Sequence, residues 1–376
     1  MLAKPINLLL VYVIVICNMV LLCSPVIATI ALFTGIANGA FLGYKSLIYL
    51  KVTICWFAFL ASFMMLLYFF FDLILGFSTR ASLKNCTRYE RIKKYDFLSE
   101  VFEQVKNKFD QPNVKLYVKD SKEINAYAIS SFGVKAMVLT SGLIEHYLRL
   151  SADSKKFLYS LRSIMGHEMS HLVNKDFLPT FIIIANQKAT NILSKLVSRF
   201  ISLLIFPLRI FSLFGLSVFG FTIADLAASL YNFSMRLLTF FNRFIVYNIY
   251  EFLRRCVSRS VEYRCDKQSA QAFGGQNMAL SLSYLGNDGY FTLFSTHPGT
   301  KPRIARVQAI KSKDGIITPS IIDALSNYLA IFSIIVACFF FAKQAAIDVI
   351  LYNYIRSHDA IYQKLSLLYN LIRGIL

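Results

Sequence analysis

A long uncharged segment near the N-terminus limits what this chain can fold into. No charged residue occurs from Pro5 to Tyr44, and Val52–Phe71 is a second uncharged run. About 20 apolar residues of helix are enough to cross the roughly 30 Å hydrocarbon core of a bilayer. The sequence therefore predicts two membrane-spanning helices, near residues 7–33 and 52–75. The first is too long for the apolar core of a secretory signal, which has about 7–15 residues.

The composition favours a membrane protein over a soluble one. Hydrophobic residues make up 56% of the 376 residues and charged residues only 16%, whereas soluble domains have roughly 45–50% and about 25%. The formal net charge of +19 would suggest nucleic acid in a soluble protein. Here the basic excess is typical of cytoplasmic loops that face anionic lipid. We therefore expect a lipid bilayer as a partner and no nucleic acid.

The cysteine pattern indicates a reducing environment. The chain has seven cysteines, an odd number, and no Cys-x-x-Cys pair. Several of the cysteines lie in apolar runs. Neither a disulfide-based fold nor a cysteine metal site is predicted from such a pattern. The soluble segments are therefore expected to face a reducing compartment.

The distribution of basic residues predicts the orientation in the membrane. Six lysines and arginines lie between Arg80 and Lys94, directly after the second apolar run, whereas the loop before it carries only Lys45 and Lys51. Loops rich in Lys and Arg stay on the cytoplasmic side. We expect a multi-pass protein of the cell (inner) membrane with its soluble segments in the cytoplasm.

The sequence divides into three parts. Residues 1–77 hold the two predicted spans, and residues 78–320 form a soluble domain that is interrupted by a hydrophobic hairpin at about 200–250. This hairpin either spans the membrane or is a pair of amphipathic helices in the interface. Residues 321–376 form a C-terminal hydrophobic helix and tail, in which the uncharged run 324–342 is either a further span or a buried helix.

Within the soluble domain, apolar periodicity predicts a mainly helical structure with a small β-sheet. Helices are predicted over 97–109 and over a segment containing 157–173. Strands are predicted over 114–118 and 136–140, with a possible third at 125–131.

The most informative motif is the segment Gly166–His171, which contains His-Glu-x-x-His. His167 and His171 are four residues apart, so both imidazoles project from one face of a helix and can bind the same Zn²⁺ ion. Glu168 is not on that face and is placed to accept a proton from a metal-bound water. Two surface histidines on an ordinary helix and a closed structural zinc site are the alternatives.

A third zinc ligand is required, and Glu262 is the leading candidate. Glu262 and Asp266 are also four residues apart, so Glu262 could bind zinc while Asp266 accepts the other ring N–H of a ligand histidine. The other candidates are the remaining histidines, His146, His297 and His358. Glu262 and His171 can meet only if the chain between them crosses the membrane an even number of times, which a hairpin satisfies.

Several ordered motifs resemble the HtpX-type membrane zinc metalloproteases, which are related to the CAAX prenyl proteases. The resemblance covers roughly residues 85–310 and the two preceding helices. It rests on Asn125-Ala126-Tyr127-Ala128, Leu139–Leu143, the His-Glu-x-x-His helix, Ser258–Asp266, and Ser295–Pro298 followed by Arg303-Ile304.

The resemblance implies an integral membrane protein whose soluble part is a zincin-like (gluzincin) protease domain. Its implied roles are one Zn²⁺ per chain held by His167, His171 and Glu262, with Glu168 as general base and then acid. Asp266 would lie in contact with a ligand histidine, and His297 would stabilise the oxyanion or be only a loop histidine.

The resemblance also implies how substrate binds. An extended polypeptide would add to the edge strand Asn125–Ala128, and the substrates would be misfolded membrane proteins in a quality-control role. Three features depart from the family: Ser130-Ser131-Phe132-Gly133 stands where the family has a small residue followed by glycine, Cys265 replaces the usual alanine, and the C-terminal apolar run is not expected of the family.

The sequence thus predicts a membrane-embedded zinc metalloendopeptidase that uses a zinc-bound water as its nucleophile. Two alternatives remain open. The chain could be a non-enzymatic membrane scaffold with a protease-derived fold, or a prenyl-protein-type protease, although that group typically has more spans than this chain can supply.

Overall fold

The computed structural model describes residues 44–151, 153–178, 247–286 and 299–346, with scattered positions between 181 and 236. The predicted span near 7–33 and nearly all of the predicted hairpin lie outside the described residues. His297 and His358 also lie outside them.

The chain divides into two compact units. The described parts of the first unit lie within Leu67–Lys188 and Phe244–Ile331. The second unit draws on Ile16–Leu66, Ala189–Arg243 and Phe332–Leu376, which are mainly apolar. The motifs of the soluble domain, as far as they are described, therefore fall in the first unit.

The described part of the chain forms helices and four short strands, and all four strands lie in its N-terminal half. Two single-turn 3-10 helices, Tyr89–Arg91 and Lys93–Tyr95, lie between the first strand and the third helix. The helices are α1 (Tyr44–Leu75), α2 (Phe77–Leu83), α3 (Leu98–Lys108), α4 (Ser141–Leu150), α5 (Ser154–Val173), α6 (Tyr247–Phe273), α7 (Gly275–Tyr284), α8 (Thr300–Val307) and α9 (Ile321–Gln344), and the strands are β1 (Cys86–Arg88), β2 (Val114–Lys119), β3 (Ala126–Ser131) and β4 (Val134–Thr140).

The four strands form one mixed sheet in the order β1-β2-β4-β3. Strands β2 and β4 are parallel, and the outer pairs β1–β2 and β3–β4 are antiparallel. In the β3–β4 pair Ala126 faces Leu139 and Ala128 faces Met137. Strand β3 is therefore an edge strand of the sheet, and helix α5 packs against it.

The hydrophobic core of the first unit lies between the sheet and helices α3, α4 and α5. Alternate residues of β2 point into it, so that Val114, Leu116 and Val118 are buried while Lys115 is exposed. This alternation is what a strand with one solvated face requires. The core fixes α5 over the sheet and so positions the side chains of its buried face.

Two helices within the described residues are long and apolar enough to cross a bilayer, judged by length and composition. They are Ile54–Leu75, with a mean hydropathy of 2.2, and Ile321–Gln344, with a mean hydropathy of 2.1. Spans of this length match the roughly 20 residues that a bilayer core requires.

The predicted elements of the soluble domain are confirmed. Helix α3 lies within the predicted 97–109, α5 contains 157–173, and β2, β3 and β4 match the three predicted strands to within two residues at each end. The apolar run 324–342 lies within helix α9. The division of the chain at 77 and 320 and the membrane crossings remain predictions.

Candidate metal centre

The His-Glu-x-x-His motif lies in the C-terminal half of the buried helix α5. This helix begins at Ser154 after Asp153, whose carboxylate accepts a hydrogen bond from the backbone N–H of Lys155 at 2.7 Å. His167 and Glu168 are buried, and His171 is partly exposed. The two imidazole rings lie one turn apart in an edge-to-face arrangement, with centroids 5.0 Å from each other, as the four-residue spacing predicts.

Helix α6 carries the second part of the site and crosses close to α5 at Gly166. A Cβ atom on Gly166 would meet the ring of Phe273 at 2.7 Å and the hydroxyl of Ser269 at 3.0 Å. The Ser269 hydroxyl donates a hydrogen bond to the carbonyl of Ser163 at 2.6 Å. The absence of a side chain next to His167 is therefore what allows α6 to approach the histidines.

The carboxylate of Glu262 faces both histidines from α6. Its Oε2 atom is 3.4 Å from Nε2 of His167, and its Oε1 atom is 3.7 Å from Nε2 of His171. Two ligand atoms that each lie about 2.0–2.1 Å from a tetrahedral Zn²⁺ are separated by about 3.3–3.4 Å. The spacing of these three groups therefore suits a two-histidine, one-glutamate metal site.

Asp266 holds His167 from the side opposite to Glu262. Its Oδ1 atom is 2.8 Å from Nδ1 of His167, so the lone pair on Nε2 is directed towards Glu262. Arg303 binds the same carboxylate with two hydrogen bonds of 2.7 Å and lies 3.3 Å from Glu262. Burial raises the pKa of Asp266, but the hydrogen bonds from Arg303 and His167 outweigh it and lower this pKa.

His171 has a carboxylate partner of its own, which the sequence did not predict. Nδ1 of His171 is 3.0 Å from Oδ2 of Asp176, just after the end of α5. Asp176 also forms an ion pair with Arg264, and Arg264 in turn lies 2.9 Å from Asp323 in the first turn of α9. Both histidines thus present Nε2 to Glu262 while a carboxylate binds Nδ1.

Cys265 lies against the same ring, with its sulfur 3.4 Å from Nδ1 of His171. Burial raises the pKa of this thiol, but His171 and Arg264 outweigh burial and lower it. A group of three potential ligand atoms, from His171, Asp176 and Cys265, therefore adjoins the main site on the Nδ1 side.

The electrostatic environment of the site favours a bound cation. Burial lowers the pKa of His167, but hydrogen bonds to Asp266 and Glu262 outweigh it and raise this pKa to about 10. A metal ion that binds neutral imidazole supplies positive charge in place of that proton. The three converging donor groups and the two carboxylates on Nδ1 therefore fit a divalent metal such as zinc.

Glu168 lies beside the two histidines and is not one of the three groups, His167, His171 and Glu262, that face one another. One carboxylate oxygen of Glu168 lies within 4.8 Å of ring nitrogens of His167 and His171. Its side chain is buried. The carboxylate of Glu168 therefore lies near the position that a metal ion bound by the two histidines would occupy.

A buried polar network fixes the end of α5 to α6. Asn174 donates hydrogen bonds of 2.7 Å to the carbonyl of Ser170 and to the side-chain oxygen of Gln268, and its own oxygen accepts one of 2.7 Å from the N–H of Ser320. Ser170 also hydrogen-bonds to Gln268. The sequence does not predict these side chains as a set, because Gln268 and Ser320 are more than 90 residues from Ser170 and Asn174.

The remaining predicted residues are placed as follows. His146 lies on α4, where its Nε2 is 2.7 Å from the carbonyl of Tyr284, so the structure does not bring it to Glu262. Asn125 precedes β3. Its backbone N–H donates to the hydroxyl of Thr140 and its carbonyl accepts from the backbone N–H of Thr140, both at 3.1 Å. Ala126, Tyr127 and Ala128 begin the edge strand.

The chain was compared with protein families, curated sequences and solved structures. The model of peptidase family M48 matches residues 93–311, more than half of the 376 residues. No curated protein sequence matches the chain. Among solved structures, the crystal structure of S. mikatae Ste24p matches with 18% identity and a TM-score of 0.33, over 76% of this chain and 62% of that chain. The chain therefore spans less than two thirds of that protein.

The family match contains both helices of the candidate metal centre and Arg303. It confirms the family that the ordered motifs indicate. The chain belongs to peptidase family M48, a family of metallopeptidases.

Proposed function

We propose that this protein is a membrane-embedded zinc endopeptidase that hydrolyses peptide bonds of polypeptides. The observation that carries the proposal is the meeting of the Nε2 atoms of His167 and His171 with the carboxylate of Glu262, at 3.4 and 3.7 Å. Two imidazoles and one carboxylate are the protein ligands of a catalytic zinc site that leaves one position open.

His167, His171 and Glu262 would hold one zinc ion per chain. When bound, zinc polarises the scissile carbonyl and lowers the pKa of water towards about 7. Asp266 and Asp176 keep the two imidazoles in the tautomer whose Nε2 is free to bind. Arg303 compensates the charge of Asp266 and so keeps that carboxylate ionised in a buried position.

Glu168 is the proposed general base. It takes the proton of the attacking water and then donates it to the nitrogen of the leaving amine, so the same carboxylate acts as base and as acid. General acid–base groups of this kind contribute roughly 10²–10⁴-fold to a rate. His297 remains a proposed stabiliser of the oxyanion, with a loop histidine stiffened by Pro298 as the alternative.

The edge strand β3 supplies a place for the substrate. An extended polypeptide can add to the open edge of a sheet through backbone hydrogen bonds, and helix α5 with the His-Glu-x-x-His motif packs against this strand. Residues Asn125–Ala128 would form the substrate-binding segment. We propose misfolded membrane proteins as substrates because the sequence motifs resemble those of the HtpX-type proteases.

The two apolar helices support a membrane location. Ile54–Leu75 precedes the basic segment from Arg80 to Lys94, which favours a cytoplasmic position for the metal centre. We place the protein in the cell (inner) membrane as a multi-pass protein on these grounds.

The test uses the full chain purified in detergent, with casein as substrate. Casein cleavage should stop when a chelator removes the metal and should return when zinc is added. Magnesium, the matched control, should not restore it. Casein cleavage that persists after complete metal removal would exclude the zinc mechanism. Zinc binding without cleavage of casein or of any membrane polypeptide would favour the non-enzymatic scaffold.

A further inference from the structure

The turn between β3 and β4 presents an aromatic side chain to the outside of the molecule. Ser131 pairs with Val134, so Phe132 and Gly133 form a two-residue turn. Gly133 has a φ of +76°, a conformation that suits glycine. Phe132 is 77% exposed, and Val134 next to it is also exposed. Exposing an apolar ring to water is unfavourable, so a ring at the tip of a turn is stabilised by an apolar environment.

This turn is attached to the end of α1. The backbone N–H of Phe132 donates a hydrogen bond of 2.8 Å to the carbonyl of Leu73. Beside it, Gly76 follows the helix with a φ of +66°, and a Cβ there would lie 2.9 Å from the hydroxyl of Ser131. The turn is therefore held at the level where α1 ends.

The end of α1 and the start of α2 are also apolar and exposed. Phe71, Ile74 and Phe77 have exposed fractions of 55%, 59% and 54%. With Phe132 they form what we call the apolar rim, defined by these four residues. Exposed apolar area is unfavourable in water, so four such side chains around the end of α1 favour an apolar environment.

We propose that the apolar rim contacts the lipid bilayer, with Phe132 inserted at the boundary between headgroups and acyl chains. Two observations select lipid as the occupant. The rim continues the apolar segment Ile54–Leu75, and Arg80 and Lys84, which suit anionic headgroups, follow it directly. Aromatic side chains are enriched at this depth of a membrane.

The inference deepens the proposed function, on which it rests, because it brings the substrate strand to the membrane surface. Ala128 on β3 is four residues before Phe132 in the turn, a distance of about 13 Å at about 3.3 Å per residue. A polypeptide that leaves the bilayer would reach the strand after a few residues. The expected substrates are therefore segments that flank a membrane span.

The experiment uses tryptophan fluorescence, because Trp56 is the chain's single tryptophan. Phe132→Trp is made in a Trp56→Phe background, and the full chain is reconstituted into phosphatidylcholine–phosphatidylglycerol vesicles. Ile124→Trp in the same background is the matched control, since Ile124 is 45% exposed and lies before the other end of β3. Val134→Trp serves as a second probe if Phe132→Trp does not reconstitute.

We expect lipids brominated near the headgroup to quench most of the emission from position 132, and iodide in the medium to have little effect on it. The control at 124 should show the opposite pattern. Quenching at 132 by iodide alone, or protection from both quenchers as under a protein partner, would overturn the inference.

Fluorescence of Trp56 in the parent protein tests the proposed membrane location separately from the rim contact. If Trp56 is quenched by brominated lipid while position 132 is not, the membrane span stands and only the rim contact is wrong. If Trp56 is not quenched either, both are wrong. Neither reading depends on peptidase activity.

Discussion

At the scale of single residues, the two ring nitrogens of each histidine have separate tasks. Nδ1 of His167 is bound by Asp266 at 2.8 Å and Nδ1 of His171 by Asp176 at 3.0 Å, so each Nε2 faces Glu262. The carboxylates fix the tautomer and increase the basicity of the nitrogen that binds metal. The site thus depends on Asp176 and Asp266 almost as much as on its ligands.

Replacing Glu262 by alanine should remove zinc together with activity. Only His167 and His171 would remain as protein ligands, which is fewer than the three of a catalytic zinc site. The measurement is zinc content per chain after dialysis, with Glu90→Ala on the exposed surface as the control. A Glu262→Ala variant that keeps one zinc per chain would show that the third ligand lies elsewhere, with His297 the first candidate.

Replacing Asp176 by alanine should weaken zinc binding without removing a ligand. The loss of the partner of His171 Nδ1 is expected to lower metal affinity by about 10–100-fold. Competition with a chelator of known affinity measures this, and Asp314→Ala in an exposed loop is the control. An unchanged zinc affinity would mean that Asp176 serves only its ion pair with Arg264.

The sequence allowed some of these residues to be predicted and not others. The pairs His167/His171 and Glu262/Asp266 follow from four-residue spacings, which place side chains on one helical face whatever the tertiary structure. Glu168 follows from its place in the His-Glu-x-x-His motif. Asp176 and Arg303 act through contacts that form only when α5, α6 and α8 pack together. Such contacts have no periodic trace in the sequence.

At the scale of elements, the close packing of α5 and α6 brings the two halves of the site together. Gly166 provides the contact point, and the Ser269 hydroxyl reaches the carbonyl of Ser163 across it. The periodicity of apolar residues predicted α3, α5 and three strands, because each buries one face. Strand β1 has only three residues and pairs through its backbone, so no side-chain pattern in the sequence predicts it.

Gly166→Ala should lower the stability of the soluble domain. A methyl group there would lie 2.7 Å from the ring of Phe273, and overpacking of this kind typically costs about 1–3 kcal/mol. Thermal unfolding measures the effect, with Lys156→Ala on the exposed start of α5 as the control.

A double variant tests the cause of this destabilisation. If the clash with the ring is responsible, Gly166→Ala should cost less in a Phe273→Leu background than in the parent, because the two sites are coupled through contact. Equal costs in both backgrounds would show that the ring can move aside and that the contact does not limit the approach of α6.

At the scale of the whole molecule, the metal centre is linked to a helix that is apolar enough to span a membrane. Asp323 in the first turn of α9 lies 2.9 Å from Arg264, which pairs with Asp176 beside His171. The strongly basic composition and the apolar helices predicted a membrane protein from the sequence. Composition does not distinguish a span from a buried helix, so the sequence alone does not decide the role of α9.

The proposed topology places residues 78–176 and 251–320 on the cytoplasmic face, with Asp225 on the opposite one. The ligands His167 and Glu262 must share a side, because ligand distances near 2 Å cannot be met across a bilayer. Single cysteines at Glu90, Lys311 and Asp225, in a background without the seven native cysteines, are labelled with an impermeant reagent from outside intact cells.

We expect label at 225 and none at 90 or 311. Zinc content of each variant serves as the control for folding. Label at 90 and 311 would contradict the orientation. Failure to label at 225 alone would place the hairpin in the interface, where Arg236 and Arg243 avoid a cost of about 2.5–3.5 kcal/mol each at a bilayer centre.

The central claim is that Glu168 acts as a base beside a zinc ion that other residues hold, and Glu168→Gln tests it most directly. Glutamine keeps the size of the side chain and cannot accept the proton, so casein cleavage should fall by about 10²–10⁴-fold or more while one zinc per chain remains. Glu145→Gln, on the exposed side of α4, is the matched control and should retain full activity. Near-normal turnover by Glu168→Gln, or loss of its zinc, would contradict the account.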